Sequence, residues 1–178
     1  PAENCPPPPT ETTPNPSAGG AGCLLICSNT MHKMAPEVQA AVDIPLLHIG
    51  DATAAAIHDS GATRPLLLAT RFAMEQDFYL GYLRERHGID AVVPKERDRM
   101  EVHRVIYEEL CQGKVFDSSK QTYLQIIDKV RNDADAPVDS VIFGCTEIGL
   151  LITPDDFLFP AFDTTVLHAE AALTFAGY

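Results

Sequence analysis

Short apolar runs alternate with amphipathic stretches along most of the chain. The apolar runs predict strands at Cys23–Cys27, Ile44–Ile49, Pro65–Ala69, Asp90–Val93, Ser140–Phe143 and Leu158–Phe162. The amphipathic stretches predict helices at Met34–Ala41, Ala52–Ser60, Met74–Arg86, Glu96–Gln112, Ser118–Arg131 and from Asp163 onward. Asp51 is expected to cap the second helix. Because helices separate consecutive strands, the pattern predicts an α/β fold with parallel sheets.

The first 22 residues interrupt this pattern. They hold seven prolines together with Thr, Ser, Asn and Gly, and offer almost nothing to bury. Such a composition is typical of a linker, so residues 1–22 are predicted to form a disordered leader. A transit peptide is the weaker alternative, because the segment has no Arg and carries Glu3 and Glu11.

Composition and charge narrow the function classes. Of 178 residues 46% are apolar, which is enough to bury a core, and no run approaches the roughly 20 apolar residues of a membrane span. Lys and Arg number 13 against 25 Asp and Glu, a net charge of −12. A negative charge disfavours binding to the phosphate backbone of nucleic acid, so nucleic acid is not expected as a partner. The short apolar runs give no reason to expect a membrane either. The partner expected is a small molecule.

Five cysteines lack the density and spacing of a disulfide framework. Reduced thiols in a cytoplasmic protein are therefore expected. Cys23, Cys27 and His32 have the spacing of half a zinc site, but no second pair completes four ligands. The sequence predicts no metal.

Two segments of the chain resemble each other. Leu24–Thr30 aligns with Val141–Glu147, each an apolar strand that leads into a nucleophilic side chain and polar neighbours. Ligands of open α/β sheets bind outside the carboxyl ends of strands, which is where Ser28 and Cys145 fall. The repeat indicates two similar lobes with the active site in the cleft between them.

A hydroxyl or thiol on each side of a bound amino acid suits proton transfer at the α-carbon. Cys145 would remove the proton as a thiolate, and Ser28 would return one to the opposite face. Cys145 precedes a predicted helix start, a placement expected to lower its pKa from ~8.5 toward neutrality. A buried structural cysteine is the alternative reading. The hydrogen-bond donors available at strand ends to hold the carbanion's carboxylate are Asn29, Thr30, Thr70 and Thr146.

Four motifs resemble those of the aspartate/glutamate racemase family, whose members need no pyridoxal phosphate. They are Cys27-Ser-Asn-Thr-Met-His-Lys33 with Ile44–Ile49, then Ala69–Tyr79, Gly144–Ile148 and Phe162–Ala169. The resemblance covers nearly everything after Gly22, in family order. It implies a two-lobed α/β fold, a racemase of aspartate or glutamate that uses no cofactor, and a homodimer.

The motif positions imply roles for individual residues. Cys145 matches the catalytic cysteine of the second lobe, and Ser28, directly before Asn-Thr, matches the catalytic position of the first. Cys27 is the alternative, but strand alternation would point it to the opposite face. The residues implied to line the substrate pocket are Asn29, Thr30, Thr70 and Thr146.

Further polar residues keep two interpretations each. Lys120 is implied to face the substrate carboxylate, or else is a solvated lysine at a helix start. Glu147 either tunes the Cys145 thiol or relays a proton, or it simply begins a helix favourably. His48 and His168 are predicted to be packed rather than catalytic.

The chain departs from the family pattern in two places. Ala73 stands where the family carries a second threonine, and the family's opening strand and glycine-rich turn should precede Cys23. The first lobe is therefore predicted to be truncated, with residues 23–62 and 162–178, and the second lobe to span 63–161. Such a lobe would expose a sheet edge and favour pairing with another chain.

Two other functions stay open at this point. Relatives on the same fold carry out related carbanion chemistry as maleate isomerases, arylmalonate decarboxylases or hydantoin racemases. A truncated lobe could also bind an amino acid without catalysing its conversion.

Overall fold

The computed structural model describes residues 19–134 and 136–178, so most of the predicted leader lies outside it. The strands are β1 (Leu24–Leu25), β2 (Leu46–Leu47), β3 (Pro65–Ala69), β4 (Ser140–Gly144) and β5 (Ala161–Asp163). The helices are α1 (Ala35–Ala40), α2 (Ile49–Ser60), α3 (Arg71–Glu75), α4 (Asp77–His87), α5 (Glu96–Glu108), α6 (Asp117–Arg131) and α7 (Thr164–Phe175). Short 3₁₀ segments lie at Thr30–Met34, Leu110–Gln112, Ile148–Leu150 and Pro154–Asp156.

The strands form two parallel sheets, one in each lobe. β1 pairs with β2, and a second sheet has the order β3-β4-β5. In the second sheet Leu67 lies opposite Ile142, which in turn lies opposite Phe162. Every residue of β3 and β4 is buried, as expected for parallel strands with helices on both faces. The predicted two-lobed α/β fold with parallel sheets is confirmed.

Three predicted elements differ in extent. The first-lobe strands shrink to two residues each, and Asp90–Val93 makes only a single bridge, from Val92 to Leu66. Pro94 ends this bridge because it has no N–H for a ladder. The helix predicted over Met74–Arg86 divides at Gln76, whose extended backbone (φ −99°, ψ 147°) separates α3 from α4.

His48, rather than the predicted Asp51, caps α2. Its Nδ1 accepts a hydrogen bond from Gly50 N at 3.0 Å. Asp51 lies one turn too far along and instead accepts a hydrogen bond from Tyr82 Oη at 2.7 Å. Burial, reinforced by neighbouring His32, lowers the pKa of His48 to about 4, which suits a ring that must keep a free lone pair for the cap.

The last helix connects the two lobes. β5 extends the second sheet, whereas α7 packs against α2 of the first lobe. Asp163 begins α7 by accepting hydrogen bonds from Thr165 N at 2.9 Å and Val166 N at 3.3 Å. His168 is packed, as predicted, and donates from Nε2 to Leu47 O at 2.7 Å. The lobe boundaries at 62/63 and 161/162 stay a prediction.

Within the described residues, none of the helices combines the length and the apolar character that crossing a bilayer requires.

Candidate active site

The loops after β1, β3 and β4 surround one cavity of about 430 Å³. Its lining consists of Cys27, Ser28, Asn29, Thr30, Met31, Thr70, Ile106, Tyr107, Cys111, Gly144, Cys145, Thr146 and Glu147. All the predicted site residues except Lys120 are among them. The cavity thus brings together both predicted catalytic positions and the predicted donors.

Strand register places the second-lobe residues of the site. Ala69 lies opposite Gly144 at the carboxyl ends of β3 and β4, so Thr70 and Cys145 leave the sheet side by side. A Cβ at Gly144 would lie 2.6 Å from Leu67 Cδ1 and 3.1 Å from the Ala69 Cβ. Glycine therefore allows this close approach directly before Cys145.

Cys145 is buried, and its thiol donates a hydrogen bond to Glu147 Oε2 at 3.0 Å. The Thr146 hydroxyl donates to the same oxygen at 2.7 Å. Burial and the adjacent Glu147 carboxylate raise the pKa of Cys145 well above its ordinary value, so the expected lowering is wrong. The 3₁₀ turn that follows, Ile148–Leu150, is too short to provide the helix dipole on which that expectation depended.

Glu147 is the ionised partner in this pair. Burial opposes its ionisation, but hydrogen bonds from Cys145, Thr146 and its own backbone outweigh burial and lower its pKa. The resting site therefore holds a neutral thiol hydrogen-bonded to a charged carboxylate, and the two pKa directions keep the proton on sulfur. This contact favours the interpretation of Glu147 as tuning the thiol over that of a residue that merely starts a helix.

The first-lobe side of the cavity is a tight turn rather than a strand end. β1 ends at Leu25, and Ser28 N donates to Ile26 O at 2.8 Å. Strand alternation therefore does not extend to Cys27 and Ser28, and both residues line the cavity. Strand geometry therefore gives no reason to prefer Ser28 over Cys27. The choice of Ser28 as the first-lobe catalytic position stays a prediction based on its place before Asn29.

Asn29 is fixed at the boundary between the lobes. Its Nδ2 donates to Thr164 Oγ1 at 2.9 Å, and that hydroxyl donates to Phe143 O at 2.8 Å. Asn29 Oδ1 is buried and has no hydrogen-bond partner among the described residues. A buried acceptor of this kind at a cavity wall suits an incoming N–H donor.

Two hydroxyls meet across the cleft. Thr30 Oγ1 and Thr70 Oγ1 lie 3.1 Å apart, and Thr70 also caps α3 by accepting from Ala73 N at 3.4 Å. The bond between them joins the loop after β1 to the loop after β3. Hydroxyls at this position suit an anionic group bound between the lobes.

Lys120 does not reach the cavity. It lies in the first turn of α6 and forms an ion pair with Asp156, with 2.7 Å between Nζ and Oδ1. Within the described part of the chain the cavity lining includes neither Lys nor Arg. A carboxylate bound there would be met by hydroxyl and amide groups.

Sequence reasoning missed several residues around the site. Ile106, Tyr107 and Cys111 form a wall that α5 and the following turn contribute. Helical periodicity marks Ile106 as apolar and inward, but no local signal shows that it faces a cavity. The sequence offers His32 as a candidate metal ligand, but both its ring nitrogens bind backbone groups, Ser28 O and Ile49 N.

Comparisons with known proteins agree with this architecture. The sequence profile described as Asp/Glu/Hydantoin racemase matches residues 10–172. A structure of a candidate Asp/Glu racemase from Yersinia pestis aligns with a TM-score of 0.83 and 46% identity, over 91% of this chain and 69% of that one.

Two further structures are also similar. An aspartate racemase homologue from Pyrococcus horikoshii OT3 gives a TM-score of 0.81 and 33% identity over 91% of this chain and 70% of that one. The aspartate racemase of Picrophilus torridus aligns with a TM-score of 0.70 and 25% identity, over 90% of this chain and 64% of that one.

Proposed function

Because the chain belongs to the Asp/Glu/hydantoin racemase family, we propose that it racemises aspartate or glutamate without a cofactor, with Cys145 and Ser28 on opposite faces of the α-carbon. The family and its racemase structures support an isomerase. The observation that carries the proposal is the Cys145–Glu147 contact of 3.0 Å in a cavity that Ser28 also lines. The similarity to aspartate racemase structures makes aspartate the first substrate to test.

Cys145 begins the reaction by losing its proton to Glu147. The resulting thiolate removes the α-proton of one enantiomer, and the electron pair of the C–H bond passes into the substrate carboxylate. The substrate's ammonium group brings a positive charge that favours the thiolate. Thiolate formation is therefore coupled to binding, because burial and the carboxylate keep the empty site as a thiol.

The substrate is oriented by the uncharged polar groups of the cavity. The hydroxyls of Thr30, Thr70 and Thr146 bind the α-carboxylate, which gains charge as the carbanion forms. Asn29 Oδ1, which lacks a partner among the described residues, accepts a hydrogen bond from the ammonium. The α-carbon then lies between Cys145 and Ser28.

Ser28 completes inversion by donating a proton to the opposite face, directly or through water, and regains its own proton from solvent. A serine hydroxyl is a much weaker acid than a thiol, so this delivery is slower than return of a proton from Cys145. For the enantiomer whose α-proton faces Cys145, exchange with solvent is therefore expected to exceed inversion. Full racemisation still has equal kcat/KM in both directions, because enantiomers have equal free energy.

The primary test is α-proton exchange in D2O, followed by proton NMR with L- and D-aspartate and glutamate supplied separately. Asparagine and glutamine serve as neutral isosteres, and chiral chromatography of the same samples reports inversion. Cys145→Ala is expected to lower exchange by roughly 10²–10⁴-fold, the usual contribution of a general acid–base group. Cys23→Ala, which removes a thiol outside the cavity, is the matched control. Exchange that persists in Cys145→Ala would refute the proposal.

A second pair of variants tests the opposing group. Ser28→Ala is expected to reduce inversion while exchange continues, and Ser28→Cys to raise inversion by restoring a thiol pair. Cys27→Ala is expected to leave the ratio of inversion to exchange unchanged. If Cys27→Ala lowered this ratio and Ser28→Ala left it unchanged, proton delivery to the opposite face would be assigned to Cys27.

Two broader outcomes separate this function from others. Turnover of maleate, an arylmalonate or a hydantoin without exchange of either amino acid would indicate a related carbanion reaction. Thermal stabilisation by aspartate without any exchange would indicate binding alone.

Assembly and location form part of the same proposal. A homodimer is expected in solution, and light scattering after size-exclusion chromatography measures it directly. A cytoplasmic location suits the free thiols of Cys23, Cys27, Cys111 and Cys145.

A further inference from the structure

His32 lies directly behind the cavity, in the 3₁₀ segment Thr30–Met34, and is buried. Its Nδ1 is 2.8 Å from Ser28 O, and its Nε2 is 3.1 Å from Ile49 N. The Ile49 N–H can only donate, so Nε2 must be the acceptor. The single ring proton is then on Nδ1, which donates it to the Ser28 carbonyl. Both nitrogens are satisfied only in this neutral tautomer.

We infer that His32 is a positioning residue for proton delivery by Ser28: its neutral ring ties the Ser28 carbonyl to the first N–H of α2 and so fixes the hydroxyl against the α-carbon. The inference rests on the proposed function. It assigns to His32 no contact with substrate.

Ser28 needs such a tie because no strand holds it. β1 ends three residues earlier, and the contact from Ser28 N to Ile26 O stays within the same turn. Among the residues that the structure describes, the hydroxyl itself accepts only a long bond of 3.4 Å, from Met31 N. Through His32 the turn is linked to α2, a helix of 12 residues whose inner face is buried.

The groups around His32 keep its ring neutral. Burial is the main cause that lowers the pKa of His32, and His168 of α7 adds to it, while the Ser28 carbonyl and Asp51 of α2 oppose it. The His48 ring lies 4.5 Å away and the His168 ring 5.6 Å away. Protonation would direct a second N–H at the Ile49 N–H. Asp51, the nearest carboxylate of α2, is already engaged by Tyr82 and His87 of α4 and by Arg86 at 3.5 Å.

Two amide substitutions separate the two ring contacts. In His32→Asn the amide nitrogen takes the place of Nδ1 and keeps the bond to Ser28 O. In His32→Gln the amide oxygen takes the place of Nε2 and keeps the bond to Ile49 N, but the donor to Ser28 is lost. The pair is matched in chemistry and differs in the contact that the inference needs.

The measured quantity is the ratio of inversion to α-proton exchange for the enantiomer whose proton faces Cys145. His32→Gln is expected to lower this ratio by about 10- to 100-fold, since a displacement of about 1 Å has effects of this size. Exchange itself, in which Cys145 and Glu147 move the proton without Ser28, should stay close to that of the unmodified protein. His32→Asn should restore most of the ratio.

Several outcomes would overturn the inference. An unchanged ratio in His32→Gln, or a proportional loss of exchange and inversion in both variants, would reduce His32 to a purely structural residue. Absence of exchange in the unmodified protein would instead reject the proposed function, and the inference with it.

A measurement independent of activity uses long-range proton–nitrogen NMR of the ¹⁵N-labelled protein. The His32 ring is expected to carry its proton on Nδ1 at pH 7. A ring protonated on Nε2 or on both nitrogens would contradict the inference even in an active enzyme.

Discussion

At Cys145 the thiol donates a hydrogen bond to a carboxylate that stays charged, so the thiol rests in its protonated form. In the proposed mechanism this arrangement reserves ionisation of the thiol for the substrate-bound state. The pKa of this thiol therefore depends on one neighbouring side chain as well as on burial.

Glu147→Gln removes the negative charge and keeps the shape of the side chain. The pKa of Cys145 is then expected to fall, because a nearby like charge disfavours the thiolate. Alkylation of the Cys145 peptide by iodoacetamide, followed by mass spectrometry across pH, should shift toward lower pH. Exchange at the α-carbon should nevertheless drop by roughly 10²-fold or more, since the proton acceptor is lost.

Glu170→Gln, an exposed change on α7, is the control for this experiment. An alkylation profile that is the same in Glu147→Gln and in the unmodified protein would show that Glu147 does not govern the thiol.

At the residue scale, the sequence identified the polar side chains that meet at the cavity but not its whole lining. Cys145, Ser28, Asn29, Thr30, Thr70 and Thr146 were predicted together and do line one cavity. The direction of the Cys145 pKa was not predictable, because it depends on burial and on where the Glu147 side chain points. Lys120 shows the same limit, since nothing in a helix-start lysine indicates that Asp156 will engage it.

At the scale of elements, the central strands of the second lobe were predicted almost to the residue. β3 coincides with its prediction and β4 extends one residue further, to Gly144. Both are continuous apolar runs, which is what full burial between helices requires. The strands of the first lobe were overestimated, because apolar character indicates burial and does not show how many residues find a hydrogen-bonded partner.

Gly144→Ala tests how closely β3 and β4 must approach at the site. The added methyl would meet Leu67 Cδ1 at 2.6 Å, so the end of β4 has to shift. A loss of about 1–3 kcal/mol in the free energy of unfolding is expected for such overpacking. Urea denaturation measures this loss of stability. Exchange of the substrate α-proton should fall in the fraction that remains folded.

Gly149→Ala provides a comparison outside the strand, where the added methyl would have one close neighbour, the Asp163 carboxylate, whereas at Gly144 it would meet Leu67 Cδ1, the Ala69 Cβ and Leu68 O. It is expected to be less costly. Equal stability losses in the two variants would contradict a special requirement at Gly144.

At the scale of the whole molecule, one of the links between the lobes is a buried hydroxyl. Thr164, at the start of α7, accepts from Asn29 of the first lobe and donates to Phe143 of the second sheet. The sequence did not indicate this role, since a threonine after a strand is equally suited to an ordinary helix start.

Thr164→Val keeps the shape and removes the hydroxyl. Asn29 Nδ2 and Phe143 O would each lose the bond that Thr164 provides, so the free energy of unfolding should fall by about 2–4 kcal/mol. Thr165→Val, at the exposed neighbour, should change it by less than about 0.5 kcal/mol. Comparable losses in urea for the two variants would show that the relay does not stabilise the molecule.

The return of α7 to α2 also sets an order for assembly during protein synthesis. The bond between His168 and Leu47 spans 121 positions, and the bond between Thr164 and Asn29 spans 135. At 5–20 residues per second a ribosome takes roughly 6–24 s to make the intervening 121 residues. For that interval the buried side of α2 has no α7 to pack against. Until α7 is made, this face of α2 is open to non-native association with other chains.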